Sequence, residues 1–197
     1  MQVILASQSP RRKKLLEQIG LKFQVQPSSV SEDTEQTDPE IIVEELAQKK
    51  ALDVAKDLKD TLVIGSDTVV VHHKAILGKP QNNPDAVQML KNLSGNSHVV
   101  YTGVSLVKTD MTGKIINQIT FHEQTKVTFS SLDESDILAY VEGGSPMDKA
   151  GSYGIQDDLG ALFVEKIEGD YYNVVGFPLN RFYRELKQFC PDIKLYG

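Results

Sequence analysis

"TLVIGSDTVVV", Thr61 to Val71, decides how this chain is read. Aliphatic and β-branched residues flank a Gly-Ser-Asp-Thr centre, the strongest strand signal in the sequence. A carboxylate set between "LVI" and "VVV" costs on the order of several kcal/mol unless a cation or hydrogen-bond donors answer it. Asp67 is therefore either a hydrogen-bonded residue at a strand end or bulge, or a functional acid met by a cation. The burial cost favours function. Mg²⁺ is a natural partner, because it takes carboxylate oxygens and keeps its waters. A regular strand sends Asp67 and Thr68 to opposite faces, so a pocket served by both requires an irregular backbone near Gly65.

Upstream of this strand, "QVILAS" reads as a short buried strand and "LASQSPRRKKLLEQIG" as a turn into a helix. Ser9 suits the cap and Pro10 the first helical position, and Gly20 stops the helix. Arg11, Arg12, Lys13 and Lys14 then sit at the end of a helix dipole that already carries positive charge. Either the face is simply solvated, or an anion gathers at a strand-to-helix turn whose N–H groups point outward. "KFQVQP" alternates as a second strand. "SSVSEDTEQTD" is an acidic loop, solvated and mobile unless a carboxylate such as Glu32 completes a metal site. Asp38 caps and Pro39 opens a long amphipathic helix to about Leu58.

Downstream, "GKPQNNP" is a loop in which Lys79 could reach a phosphate or merely close a turn. Pro84 opens a helix ending near Leu93. "HVVYTGVSLVKT" and "KIINQITFHEQTKVTF" are long strands joined at "DMTG". "SSLDESDILAYVEGG" is a helix, with a capping box expected from Ser131 and Glu134. "SPMDKAGSYGIQDD" is a glycine-rich loop, either ordinary surface or a ligand-approach loop whose Gln156 both donates and accepts. "ALFVEKIEG" is a strand and "FPLNRFYRELKQF" a closing helix. The whole predicts an α/β protein with a mixed sheet flanked by helices.

Composition narrows the function. The chain has 197 residues and a net charge of −6, which argues against coating a nucleic-acid polymer. A single cysteine, Cys190, makes no internal disulfide, and no apolar run approaches a membrane span. A cytoplasmic setting is expected. His72 and His73 face opposite ways in a strand, and no zinc or G-x-S-x-G signature occurs.

"LASQSPRRKKLL", "GSDTVV", "LGKP", "LSGNSHVVYTGV", "MDKAGSYGIQ" and "YYNVVGFPL", in this order, resemble the Maf family of nucleoside triphosphate pyrophosphatases across nearly the whole chain. The resemblance implies a single Maf-like domain, 1–197, resembling inosine triphosphatases: elongated, with two lobes around a deep cleft, usually a homodimer. It implies hydrolysis of a nucleoside triphosphate to the monophosphate and pyrophosphate with a divalent metal, Mg²⁺ or Mn²⁺. By position, Asp67 matches the catalytic carboxylate, the general base or a metal ligand. Ser7, Arg11, Arg12, Lys50 and Lys79 match phosphate-handling residues, and Glu32 matches a second metal ligand in a loosely aligned loop. Arg12, Thr68 and Gln156 match the branch preferring dTTP and UTP over 7-methyl-GTP. Modified pyrimidine nucleotides are further candidates, with exclusion of non-canonical nucleotides as the purpose. The competing reading is a non-catalytic nucleotide-binding regulator of cell division and septum formation.

Overall fold

The computed structural model describes residues 1–157 and 159–195. In chain order the elements are β1 (Gln2–Leu5), α1 (Pro10–Gln18), β2 (Gln24–Val25), α2 (Pro39–Ala55), β3 (Thr61–His72), β4 (Ala75–Leu77), α3 (Asn83–Leu93), β5 (Ser97–Thr109), β6 (Ile115–Phe129), α4 (Glu134–Glu142), α5 (Gly160–Phe163), β7 (Val164–Glu168), α6 (Tyr171–Val175) and α7 (Leu179–Phe189). The seven strands follow the order β2-β1-β3-β5-β6-β7, with β4 paired to β3. β1 runs parallel to both β2 and β3, while β3–β4 and β6–β7 are antiparallel. The sheet is mixed, with helices interleaved along the chain, as its alternating periods predict.

The chain folds as two compact units. The first takes residues Met1–Asp67, Thr102–Glu123 and the segment from Gly176; the second takes Thr68–Tyr101 and Gln124–Val175. In the first unit, α2 lies on β3 and β5 because two glycines let it. A Cβ on Gly65 would stand 2.2 Å from the Ala47 carbonyl oxygen, and one on Gly103 would stand 2.1 Å from that of Val43. Ala51, Val54 and Ala55 of α2 then meet Ile4, Val63 and Val107 in one buried cluster. The second unit has an aromatic-rich core, in which Phe129, Tyr140, Tyr153 and Phe163 pack with Leu90 and Ile137. Phe129 and Tyr153 meet edge to face at 4.7 Å, the arrangement that ring quadrupoles favour.

Ser9 and Asp38 cap their helices as expected, each accepting a backbone N–H, and Pro10 and Pro39 open them. Several expectations are corrected. β3 runs unbroken from Thr61 to His72, so Asp67 and Thr68 alternate to opposite faces, and Gly65 serves helix packing. The capping box does not form. Asp133 precedes α4 without a side-chain cap bond. The Ser94 hydroxyl takes the Leu132 N–H at 2.8 Å, and Glu134 pairs with Lys91. Tertiary partners on the α3 side outcompeted the local box. α2 stops at Ala55, short of Leu58, and β2 keeps only two residues. Residues 160–163 form a helical turn before β7, and α6 was not foreseen.

Candidate functional site

Asp67 is buried near the middle of β3. Strand alternation puts it on the same face as Gly65, the face on which α2 rests. Lys50 lies one residue before Ala51, which itself touches Gly65. The close approach that glycine permits therefore delivers the lysine to the acid. Lys50 Nζ donates to Asp67 Oδ1 at 2.6 Å and to Glu32 Oε1 at 2.6 Å. The side chains of Lys50 and Asp67 are each only 11 % exposed, while that of Glu32 is 63 % exposed. One ammonium thus bridges a buried acid fixed on a strand and an exposed acid on a loop.

That loop is anchored rather than loose. Asp53 accepts from the Ser28 hydroxyl and the Ser29 N–H, Lys49 donates to the Asp33 carbonyl, and Thr34 donates to Glu45. Lys49 also pairs with Glu45. These bonds run from one helix, α2, to residues 28–34, and they hold Glu32 where Lys50 can reach it. Bonds from Lys56, the Ser29 N–H and Ser28 hold the Asp53 carboxyl at about 2, below its ordinary 3.8.

The turn before α1 supplies the second half of this cluster. Arg12 Nε donates to the Gly176 carbonyl at 3.1 Å; its Nη1 donates to the Ser66 carbonyl at 2.9 Å and to the Ser7 hydroxyl at 3.2 Å. Arg12 therefore ties the first helix, the residue beside Asp67 and the Gly176 turn together. Burial lowers its pKa; the Asp67 charge opposes that shift, neighbouring Arg11 adds to it, and Glu32 also opposes it. An arginine stays charged regardless, so a half-buried cation faces the field of Asp67 and Glu32. Ser7, Arg11, Arg12, Glu32, Lys50 and Asp67 all belong to the first unit.

The remaining candidates, Thr68, Lys79 and Gln156, belong to the second unit. Thr68 follows Asp67 on an unbroken strand and alternates away from it. Lys79 is exposed on its loop, which is pinned where the Gly151 N–H donates to the Gly78 carbonyl at 3.0 Å. Gln156 Nε2 donates to Asp157 Oδ2 at 2.6 Å. Sequence reasoning missed the Ser66 and Gly176 carbonyls, since a backbone acceptor leaves no side-chain signature. Lys149 lies within the glycine-rich loop that sequence reasoning singled out, but the acceptors around it were not legible there.

The donor set suits a hard divalent cation. Two carboxylates converge on one point, the Lys50 ammonium, and Mg²⁺ is commonly held by one or two carboxylates with water and substrate phosphate completing its shell. No cluster of three or more His, Cys, Asp or Glu able to hold a metal occurs among the described residues, so phosphate oxygens and water would have to fill that shell.

Residues 2–189 match the family model described as Maf-like protein. The chain belongs to the Maf family. Its relatives include a dTTP/UTP pyrophosphatase of Bacillus cereus (strain AH820), 50 % identical over 192 residues, covering 97 % of both chains. A dTTP/UTP pyrophosphatase of Lachnoclostridium phytofermentans is 47 % identical over 193 residues, covering 98 % of this chain and 97 % of that protein. The Maf fold is also similar to the structure of the Staphylococcus aureus Ham1 protein, with a TM-score of 0.56 at 15 % identity, over 96 % of this chain and 100 % of that one. No helix among the described residues is long and apolar enough to cross a membrane.

Proposed function

We propose that this Maf chain hydrolyses dTTP and UTP to the monophosphate and pyrophosphate. The observation that carries the reading is Asp67: a buried acid on a strand, bridged by Lys50 to Glu32 and set in the field of a half-buried arginine. Relatives near half identity, named for this activity, support it.

Lys50 takes one oxygen of Asp67; the other orients a water and accepts its proton. The water oxygen bonds to the α-phosphorus, the bond from that phosphorus to the α,β-bridging oxygen breaks, and pyrophosphate leaves with the bonding pair. Arg12 holds the Ser66 carbonyl, and so the backbone beside Asp67, in place. The capped N-terminus of α1, with Ser7 and Arg11 nearby, offers donors to phosphate oxygens. Asp67 and Glu32 would hold a divalent cation, Mg²⁺ or Mn²⁺. Bound there, it would neutralise part of the triphosphate charge that otherwise repels the attacking water. The family resemblance also carries a homodimer and removal of modified pyrimidine nucleotides into this proposal, and the composition carries a cytoplasmic setting.

Asp67→Asn tests it. Turnover measured as pyrophosphate release should fall about 10²–10⁴-fold, the usual worth of a positioned general base, with the thermal unfolding transition retained. Near-full activity in this variant sinks the mechanism. Binding of dTTP without product, across metals and pH, sinks the enzyme reading in favour of a nucleotide-binding regulator.

A further inference from the structure

The glycine-rich loop of the second unit holds a relay that decides which way the Gln156 carboxamide faces. Lys149 is a buried cation. Its Nζ donates to the Ser145 carbonyl at 2.6 Å and to Asp148 Oδ1 at 2.9 Å, and stands 3.4 Å from Asp157 Oδ2. An ammonium has three donors, and three acceptors surround this one. Asp157 Oδ2 in turn accepts from Gln156 Nε2 at 2.6 Å. The oxygen and nitrogen of a glutamine amide are told apart by their partners. A carboxylate only accepts, so the end of Gln156 that meets it must be the nitrogen. Its Oε1 is left buried with no hydrogen-bond partner among the described residues.

The surroundings make this orientation stiff. A Cβ on Gly154 would meet Lys149 Cε at 2.7 Å, Asp157 Oδ2 at 2.9 Å and Gln156 Nε2 at 3.1 Å. All three members of the relay thus crowd the space that this glycine leaves open. The Gly154 N–H donates to the Tyr140 hydroxyl at 3.2 Å, and the Tyr153 hydroxyl is bonded to His98 Nε2 at 2.7 Å. The backbone leading into Gln156 is therefore clamped from both α4 and β5.

We infer that Asp157, backed by Lys149, is a specificity-positioning residue: it commits the Gln156 nitrogen to itself so that the amide oxygen is what a nucleobase meets, selecting a ring N3–H. Uracil and thymine carry that hydrogen; cytosine presents a lone pair there, which an amide oxygen repels. The inference rests on the pyrophosphatase reading for its ligand, a pyrimidine nucleotide. The oxygen is covered in this state, so the base enters with a local shift that uncovers it. Pairing an unmet buried acceptor rewards that shift.

The test compares UTP, CTP and N3-methyl-UTP by kcat/KM for pyrophosphate release, in the native chain and in Asp157→Asn. The native chain should prefer UTP over both others. The isosteric asparagine can donate to Gln156 Oε1, which frees the carboxamide to turn. The UTP-to-CTP ratio should then fall about tenfold or more, the scale of one buried unpaired group. A merely structural role would lower both rates and leave the ratio unchanged, and that result overturns the inference. N3-methyl-UTP needs no variant: native activity on it equal to that on UTP also overturns it. If the native chain releases pyrophosphate from no triphosphate, the pyrophosphatase reading fails by itself. Calorimetric binding of UMP against CMP to the two chains then decides the inference: a native preference lost in Asp157→Asn supports it, and an unchanged preference overturns it.

Discussion

Two lysines, one in each unit, buried Lys149 and half-buried Lys50, sit between carboxylates and do different work. Lys149 draws its acceptors from Ser145, Asp148 and Asp157, all within eight residues of it, and its three donors are matched by three acceptors. Lys50 reaches Glu32 and Asp67, which stand 18 and 17 positions away, on a loop and on a strand. The first is a local clamp, complete within one loop. The second is a long-range bridge with one exposed arm, suited to be exchanged for substrate charge. A buried cation surrounded on every side fixes geometry; one with a solvent-facing partner can take part in chemistry.

That contrast can be broken most directly by replacing each lysine. Lys50→Met should lower kcat/KM for UTP and CTP alike by about a hundredfold, the scale of a lost electrostatic contact at a reacting centre. Lys149→Met should instead shift the UTP-to-CTP ratio. Equal losses on both substrates for both variants would erase the distinction. A smaller effect concerns the packing that delivers Lys50. Gly65→Ala places a carbon 2.2 Å from the Ala47 oxygen and should cost about 1–3 kcal/mol in urea unfolding. Gly78→Ala, with nothing within 4 Å of the added carbon, should cost far less. Equal midpoints would mean that α2 does not depend on the glycine.

The smallest effect is a pH dependence in the loop that carries Glu32. The folded Asp53 carboxyl titrates at about 2, below its ordinary 3.8. The unfolded chain therefore binds the proton first as pH falls. The stabilisation is fully present above about 3.8 and is lost on descent to about 2. Asp53→Asn should be less stable than the native chain at neutral pH, and the difference should close over that interval. A difference that persists below it would assign the effect to packing.

Much of this was legible because local rules decided it. Ser9-Pro10 and Asp38-Pro39 open helices as their chemistry predicts, and the aliphatic run around Asp67 is a strand because β-branched residues fit a pleated surface. The acid within that run declared itself by its burial cost. Its partner was named only through family resemblance, since nothing local links Lys50 to residue 67. The packing role of Gly65 was not legible, because only a neighbouring helix reveals what a missing Cβ makes room for. Ser131 and Glu134 had the spacing of a capping box, yet Lys91 takes the Glu134 carboxylate from another element. The sequence by itself determined most of the element types, the odd placement of one acid and the basic helix start, since each follows from neighbours along the chain. Only the tertiary structure decided which cation meets that acid, what Arg12 holds and which way the Gln156 amide faces, since hydrogen bonds across 17 to 164 positions and the orientation of an amide are properties of the fold.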